Sequence, residues 1–349
     1  MHYFSLQNSI EMIDLRSDTI TRPTAAMLET MMKARVGDDV FGEDPTINAL
    51  QDRVADMFGH EAGLFCPSGT MTNQVAIRSH TRPGDDVICA SVAHVYLYEG
   101  AGIARNSGAS VRLLEGDRGR LNAEEVEAAI QPDDAHVPHT SLVCLEDTVN
   151  KGGGCTYDIE NIKAIRKVCD QNDLQLHLDG ARLFNALVET GYDKKEYGQL
   201  FDSISICFSK GLGCPVGSIL VGSRGFIKES HRVRKSMGGG MRQAGFLAAA
   251  CDYALDHHIE RMSEDHERAR KLGQMLLNLS AVDTIIPVET NIVIVQLKEG
   301  LRSDAVTNQL ADAGLVGHTF GVDKVRFVTH LDFDDTQLEE ARRIIEQFG

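Results

Sequence analysis

Residues 174–215 read LQLHLDGARLFNALVETGYDKKEYGQLFDSISICFSKGLGCP, and the order of apolar runs in this stretch decides the fold class. Two short apolar runs, 174–178 and 203–207, enclose a helical pattern over 181–190. A strand, a helix and a second strand in this order form a crossover unit, which joins parallel strands of one sheet. Elsewhere in the chain, runs such as VICA at 87–90 are continuously apolar, as is typical of strands covered on both faces. The stretch therefore predicts an α/β domain with a mostly parallel sheet.

The same alternation extends in both directions from this stretch. Five further strands are predicted, at residues 62–65, 87–90, 110–114, 141–145 and 218–221. Three further helices are predicted, at residues 70–80, 123–130 and 159–172. Asn122 and Glu125 have the spacing of a capping box at the start of the second of these helices. The sequence thus predicts seven strands with helices on both faces of the sheet.

The pattern changes after Gly245. Residues 246–279 predict one long helix or two, with a dense run of charge between Asp256 and Lys271. The remaining segments alternate between strand-like and helical patterns, at 291–297, 303–313, 325–329 and 335–348. This predicts a smaller α+β domain at the carboxyl end. We place the boundary near residue 260, with a large domain over 1–260 and a small one over 261–349.

Composition limits the class of protein and its partners. The chain has 349 residues, 42% of them hydrophobic and 25% charged, and a net charge of −16, which is typical of a globular protein and argues against disorder or a coiled coil. An acidic chain repels nucleic acid and anionic lipid, so we expect neither as a partner. No secretory signal or membrane span is predicted. Eight cysteines without a C-x-x-C pair favour reduced core thiols in a cytoplasmic protein over a disulfide framework or a metal site.

Ligands of open α/β sheets bind outside the carboxyl ends of the strands, and three places there carry chemistry. Gly69 and Thr70 follow the strand at 62–65 and begin a helix whose free N–H groups suit an anion, although an ordinary capped helix start explains them equally well. Asp179 follows the strand at 174–178, where a helix cap is the alternative role. Lys210 follows the strand at 203–207, where a surface lysine in a glycine loop is the alternative.

These three groups are more specific together than they are singly. A helix start suits a phosphate, a carboxylate keeps a pyridine nitrogen protonated, and an amine in a partly dry site reacts with an aldehyde. Pyridoxal 5′-phosphate (PLP) carries a phosphate, a pyridine nitrogen and an aldehyde. The combination of Gly69, Asp179 and Lys210 therefore predicts PLP as the cofactor.

Eight motifs in order resemble the L-threonine aldolases. They are IDLRSDTITRP at 13–23, VGDDVFGEDPT at 36–46, PSGTM at 67–71, AH at 93–94, LDGAR at 178–182, FSKGL at 208–212, GGGMRQ at 238–243 and RFVTH at 326–330. The resemblance covers nearly the whole chain from about residue 12 onward. It implies the PLP-dependent fold type I architecture and a homotetramer whose active sites lie at subunit interfaces.

The resemblance also implies roles for individual residues. Lys210 would bind the cofactor's aldehyde, with His94, Lys210 and Asp179 as the catalytic residues. Around the cofactor, Asp179 would contact the ring nitrogen and His94 would stack on the ring, while the phosphate would be bound by Gly69, Thr70 and a neighbouring subunit's Arg242. Tyr98 would line the site. The substrate carboxylate would be held by Ser17, Arg182 and Arg326, and Arg182 would also contact the cofactor. From the residues alone, Arg182 fits an ion pair with Asp179, Arg326 a surface charge, and His94 a core histidine.

This chain departs from the family pattern at three places. The family usually carries histidine in an E-N-T-H-N run, whereas this chain has Val149 in EDTVN at 146–150. Valine takes no proton, so either His94 or a water molecule acts as base, or the site accepts a larger or more apolar β-substituent. Phe41 stands where the family often has tyrosine. The 11 residues before Met12, where many family members begin, are either a disordered tail or the result of an early start codon.

The implied reaction is retro-aldol cleavage of L-threonine or L-allo-threonine to glycine and acetaldehyde. Phenylserine is an alternative substrate, and another fold type I enzyme, such as an aminotransferase or a β-eliminating lyase, is an alternative function. A non-catalytic ligand-binding protein on the same fold is the rival from a different class, and Lys210, Asp179 and both arginines argue against it.

Overall fold

The computed structural model describes residues 12–348, and the predicted tail before Met12 lies outside them. The chain divides into two compact units: one is Thr21–Ser263, and the other takes the described residues up to Ile20 together with those from Glu264 onward. The predicted boundary placed the start of the chain in the large domain. The structure instead groups it with the carboxyl-terminal unit, because Ile13–Asp14 pairs in parallel with Leu315–Val316.

The elements alternate along the chain as the sequence predicts. The strands are β1 (Ile13–Asp14), β2 (Ala62–Cys66), β3 (Asp86–Ala90), β4 (Ser110–Leu114), β5 (Thr140–Glu146), β6 (Gln175–Gly180), β7 (Ser203–Cys207), β8 (Ser218–Gly222), β9 (Val282–Ile285), β10 (Ile292–Leu297), β11 (Leu315–Val316), β12 (His318–Thr319) and β13 (Lys324–Val328). The helices are α1 (Ala25–Met32), α2 (Pro45–Met57), α3 (Gly69–His80), α4 (His94–Leu97), α5 (Ala123–Ala129), α6 (Ile159–Gln171), α7 (Leu183–Thr190), α8 (Lys194–Gly198), α9 (Arg224–Ser236), α10 (Gly245–His257), α11 (Met262–Leu276), α12 (Ser303–Asp312) and α13 (Asp335–Glu346).

All seven predicted strands form one sheet in the larger unit, in the order β2-β8-β7-β6-β5-β3-β4. Strands β7, β6, β5, β3 and β4 are parallel to one another, whereas β8 runs antiparallel to both β2 and β7. Strands β3, β5, β7 and β8 are buried along their whole length. The prediction of a mostly parallel, doubly covered sheet is confirmed.

Local signals explain where the principal helices begin. Ser68 accepts a hydrogen bond from the backbone N–H of Met71 at the start of α3, and Asp44 caps α2 just before Pro45. The capping box of Asn122 and Glu125 is present at α5. The sequence did not predict α1, α2, α4, α8 or α9. In α9 the buried residues include Ser230 and Arg234 beside Ile227, and these polar residues interrupt its apolar pattern.

The second unit is a smaller α+β unit. Its four-stranded antiparallel sheet has the order β12-β13-β10-β9, and β1 pairs with β11 beside α12. Its core contains buried side chains from β10, β13, α11 and α13. The segment after Gly245 resolves into two helices, α10 and α11, rather than one.

The eight cysteines are free and buried, and most of them lie within the apolar core. They therefore act as small apolar residues, as the sequence predicts. Within residues 12–348, none of the helices is both long and apolar enough to cross a membrane.

Candidate active site

The carboxyl ends of six strands, all except β8, lie at one edge of the large sheet. Strand register places Cys66 of β2 and Cys207 of β7 on either side of Ser218, and Glu146 of β5 beside Asp179 of β6. The segments that leave this edge carry the predicted residues Gly69, Lys210, Asp179 and His94. The structure therefore brings together the residues that the sequence placed at strand ends.

The predicted anion site lies at the amino end of α3. Gly69 is the first residue of this helix and Thr70 is exposed beside it. A Cβ on Gly69 would lie 3.8 Å from the Sγ of Cys207, which places the helix start next to the end of β7. Free backbone N–H groups at this point suit a phosphate.

Lys210 lies in a tight turn after β7. Its carbonyl oxygen accepts hydrogen bonds from the N–H of Gly213 at 2.7 Å and the hydroxyl of Thr21 at 3.2 Å, and Gly213 adopts a φ of +74°. Burial raises the pKa of Cys207, but the ammonium of Lys210 and hydrogen bonds with Ser209 and Ser218 outweigh burial and lower it. The charge of Lys210 therefore acts close to Cys207, at the edge of the sheet where Gly69 lies.

Asp179 is buried and both of its carboxylate oxygens are held. Oδ2 accepts from the Nδ2 of Asn73 at 2.8 Å, and Oδ1 accepts from the N–H of Ala181 at 3.1 Å. The Ala181 bond is the local turn bond that a cap role predicts, whereas the Asn73 bond comes from a different element, α3. Arg182, the next predicted residue, is buried at the start of α7.

His94 begins α4 and lies in a cluster with two carboxylates. Its Nδ1 is 2.9 Å from the Oε1 of Glu99, and ligand atoms of His94, Glu99 and Asp179 all lie within 4.8 Å of one another. Burial lowers the pKa of His94, but the hydrogen bond to Glu99 and the charges of Asp179, Glu99 and Glu146 together raise it above the usual value. His94 is thus tied to its neighbours by charge and not only by packing.

Glu146 joins two segments at this edge, and the sequence reasoning did not assign it a role. Its oxygens accept from the backbone N–H of His94 at 2.8 Å and of Asn150 at 2.9 Å. Burial and the charge of Asp179 raise the pKa of Glu146 to about 7, against the lowering effect of those bonds and of His94. Its position as the last residue of β5 was the available signal, since the other site residues also follow strands.

Tyr98 and Lys151 lie on the more open side of His94. The Tyr98 ring is about half exposed, with its centroid 5.6 Å from that of His94, and the Nζ of Lys151 is 5.8 Å from the Tyr98 centroid. Val149 has no exposed surface and belongs to the core of the sheet. The residue that replaces the family's histidine therefore packs inward, while Lys151 places a cation near Tyr98.

Arg242 is exposed and pairs with a carboxylate of its own chain. Its guanidinium lies 2.8 Å from Asp38 and 5.9 Å from the centroid of the Phe41 ring, and Phe41 is 73% exposed. The structure thus places Arg242 on a surface that combines a cation with an exposed aromatic ring.

Ser17 and Arg326 belong to the other unit. The hydroxyl of Ser17 accepts from the hydroxyl of Thr19 at 2.9 Å. The guanidinium of Arg326 donates to the carbonyl of Arg16 at 3.0 Å and lies over the ring of Phe320. Arg326 is buried, so it is not the surface charge that composition alone would suggest.

The residues of the larger unit fit PLP by their chemistry. They comprise a helix start for phosphate, a held carboxylate for a ring nitrogen, an imidazole for ring stacking and an amine for an aldehyde. His94, Glu99 and Asp179 are also close enough to bind a metal ion. The carboxylates of Glu99 and Asp179, however, already accept hydrogen bonds from Asn73 and Gln74. This favours an organic cation over a metal ion as the ligand.

Comparisons with known proteins agree with this chemistry. The beta-eliminating lyase family model matches residues 14–300. The low specificity L-threonine aldolase of Escherichia coli K12 is 44% identical over 95% of this chain and 97% of its own length. A probable low-specificity L-threonine aldolase of Arabidopsis thaliana is 38% identical over 97% of this chain and 98% of its own length. The solved threonine aldolase of Leishmania major, with a TM-score of 0.82 at 20% identity over 95% of this chain and 97% of that one, has the same fold. The chain therefore belongs to the family of L-threonine aldolases and beta-eliminating lyases, and it is a lyase with the fold type I architecture of PLP-dependent enzymes.

Proposed function

We propose that this lyase cleaves L-threonine and L-allo-threonine to glycine and acetaldehyde by a PLP-dependent retro-aldol reaction. The observation that carries the proposal is the convergence of Lys210, Asp179, His94 and the amino end of α3 at one edge of the sheet. The identity of 44% to a low specificity L-threonine aldolase supports this substrate class.

Four features of the larger unit would hold the cofactor. Lys210 supplies the amine for its aldehyde, Asp179 holds the ring nitrogen protonated, and Gly69 and Thr70 bind the phosphate. His94 would stack on the ring, while its Nδ1 bonds to Glu99 at the edge of the imidazole. When bound, PLP provides the electron sink that makes breakage of a Cα–Cβ bond feasible.

An arginine side chain would bind and orient the substrate. Arg182 would hold the substrate carboxylate, for which a planar guanidinium is well suited. Tyr98 lines the side of the site that receives the β-substituent. Fixing the carboxylate and the amine sets the direction of the Cα–Cβ bond, and such orientation contributes several kcal/mol to catalysis.

The proton of the β-hydroxyl would pass to the Nε2 atom of His94. Val149 takes no proton and packs into the core, so it does not replace the usual histidine. His94 is the titratable group already tied to Asp179 and Glu99. A base must be deprotonated to act, so activity should fall as the pH is lowered. Because the pKa of His94 is raised, this fall should begin at a higher pH than for an ordinary histidine.

We further propose a cytoplasmic homotetramer whose subunits share active sites. Arg242 would reach the phosphate bound by a neighbouring subunit, and its exposed position beside Phe41 supports a role at an interface. Eight buried free thiols suit a reducing compartment.

The test is a substrate panel with product identification. The purified enzyme is incubated with L-threonine, L-allo-threonine and phenylserine, and aldehyde, glycine and keto acid are measured. Aldehyde with equimolar glycine is expected. Keto acid or ammonia without aldehyde would instead indicate a transaminase or a β-eliminating lyase, and a strong preference for phenylserine would indicate the alternative substrate class.

Replacement of Lys210 by alanine separates catalysis from ligand binding. We expect this variant to lose the visible absorption of the lysine-bound cofactor and aldehyde release to fall by at least about 10³-fold. Replacement of Lys151 is the control, because its ammonium lies near Tyr98 and not in the turn after β7. An unchanged absorption band in the Lys210 variant would contradict the assignment.

A further inference from the structure

Glu99 is a buried carboxylate at the candidate site that neither the motifs nor the composition indicated. It lies just after α4, and its side chain has no exposed surface. Three side-chain groups bond to it: Nδ2 of Asn73 at 2.9 Å, Nε2 of Gln74 at 2.6 Å and Nδ1 of His94 at 2.9 Å. An ionised carboxylate only accepts hydrogen bonds, so three donors suit it. Glu99 is therefore held in a single position.

Asn73 connects Glu99 to the predicted cofactor carboxylate. The same Nδ2 that donates to Glu99 also donates to Oδ2 of Asp179 at 2.8 Å. Its Oδ1 is 3.2 Å from Nε2 of His177. Burial lowers the pKa of His177 to about 3, so this imidazole is neutral and can donate through Nε2 while Nδ1 accepts from Ser203. The amide of Asn73 is thereby fixed with its N–H groups towards the two carboxylates.

We infer that Glu99 is a positioning residue for His94: it receives the Nδ1 hydrogen of the imidazole, orients the ring, and leaves Nε2 as the nitrogen that faces the reacting molecule. Asn73 and Gln74 hold Glu99 in place, and Asn73 joins this group to Asp179. The inference rests on the proposed function and deepens it, because it names the residue that sets the state of the proposed base.

The charges around His94 give this arrangement a measurable consequence. The carboxylates that act on it are Glu99 beside α4, Asp179 at the end of β6 and Glu146 at the end of β5. They oppose burial, which by itself lowers the pKa of His94. Of the three, Glu99 alone forms a side-chain hydrogen bond with the ring. Removing its charge should therefore lower the proton affinity of His94 more than any distant substitution does.

The first measurement needs no variant. In full-length protein with ¹⁵N-labelled histidine, NMR identifies which nitrogen of the neutral His94 ring carries hydrogen, with and without the cofactor. The His94 signals are assigned by their loss in His94→Gln. Hydrogen on Nδ1 is expected. Hydrogen on Nε2 would overturn the inference, because Glu99 would then not be the acceptor.

The second measurement compares Glu99→Gln with Asp86→Asn. Asp86 is a matched control: it is also a buried carboxylate, with bonds to Ser110 and Arg112, but it lies at the opposite end of the strand that leads to His94. The histidine NMR titration should show the pKa of His94 fall by about one to two units in Glu99→Gln. The acid limb of kcat/KM should move to lower pH by the same amount.

Asp86→Asn should leave the pKa of His94 unchanged even if it lowers stability. A pKa of His94 that is equal in wild type and Glu99→Gln, or that falls equally in both variants, would overturn the inference. The NMR results do not depend on turnover. If wild type releases no aldehyde, the proposed function fails while these measurements still decide the role of Glu99.

Discussion

At position 149 a valine stands where the related motif carries histidine, and the structure gives this side chain no exposed surface. One of its methyl groups lies 2.9 Å from the position that a Cβ on Gly119 would take, so the surrounding space is filled. A close-packed core tolerates neither added volume nor an unpartnered polar atom. The departure from the motif is therefore a core substitution, and it moves the question of the base to His94.

Val149→His should for this reason lower stability without raising activity. We expect a loss of about 1–3 kcal/mol in the free energy of unfolding, seen as a lower urea midpoint, and no faster release of acetaldehyde. Val149→Thr, which is nearly isosteric, separates burial of a polar group from added volume. A histidine variant that is as stable as wild type and faster would mean that position 149 faces the substrate.

At the scale of elements, the end of β6 shows how backbone packing sets the geometry of the site. Gly180 follows Asp179, and a Cβ on Gly180 would lie 2.7 Å from the carbonyl oxygen of Ser205 on β7. Glycine thus permits β6 and β7 to pair up to the point where Asp179 projects. Gly180 is therefore required because a larger residue would not fit between β6 and β7.

Gly180→Ala should separate the two strands and displace Asp179. We expect a loss of about 1–3 kcal/mol in the free energy of unfolding together with weaker cofactor binding, followed by urea denaturation and by titration of absorbance with PLP. The control is Gly225→Ala in α9, where a Cβ meets nothing within 4 Å; it should be neutral or stabilise by up to about 1 kcal/mol. Equal effects of the two changes would contradict the packing argument.

At the scale of the whole molecule, net charge and exposed apolar surface indicate opposite behaviours. A net charge of −16 opposes association. Large apolar side chains are nevertheless exposed. Met32, the last residue of α1, is 80% exposed, and Phe41, nine residues further along the chain, is 73% exposed. Such surfaces on a lyase of this family fit the proposed assembly better than a solitary chain.

Met32→Glu should therefore weaken the assembly. We expect sedimentation to shift to smaller species, and PLP affinity to fall by about tenfold, since the neighbouring subunit's Arg242 would no longer supply its charge-assisted bonds to phosphate. Val322→Glu is the control, because Val322 is similarly exposed, at 71%, and lies in the other unit. Wild type that sediments as a monomer, or a Met32 variant of unchanged mass, would contradict the proposal.

The sequence predicted more of the fold than of the site. Apolar runs and caps are local features, so all seven strands of the large sheet and helices such as α3, α5 and α6 were predicted within a few residues of their ends. The weakly apolar helix α9 was missed because its buried face contains Ser230 and Arg234. For the site, Lys210, Asp179 and Gly69 could be chosen because each follows a strand, whereas Glu99 and Asn73 lie within or after helices and carry no such signal.

By itself the sequence determined the strands of the sheet, the edge where the candidate residues lie and the chemical type of each candidate, since hydrophobic periodicity and strand ends are local features of the chain. Only the tertiary structure decided which groups meet. Asn73 contacts Asp179 from 106 residues away, and Ile13 pairs with Leu315. Contacts of this range depend on how the strands are ordered in space, which no local pattern encodes, and through them the structure added Glu99 and Glu146 to the site and placed Val149 in the core.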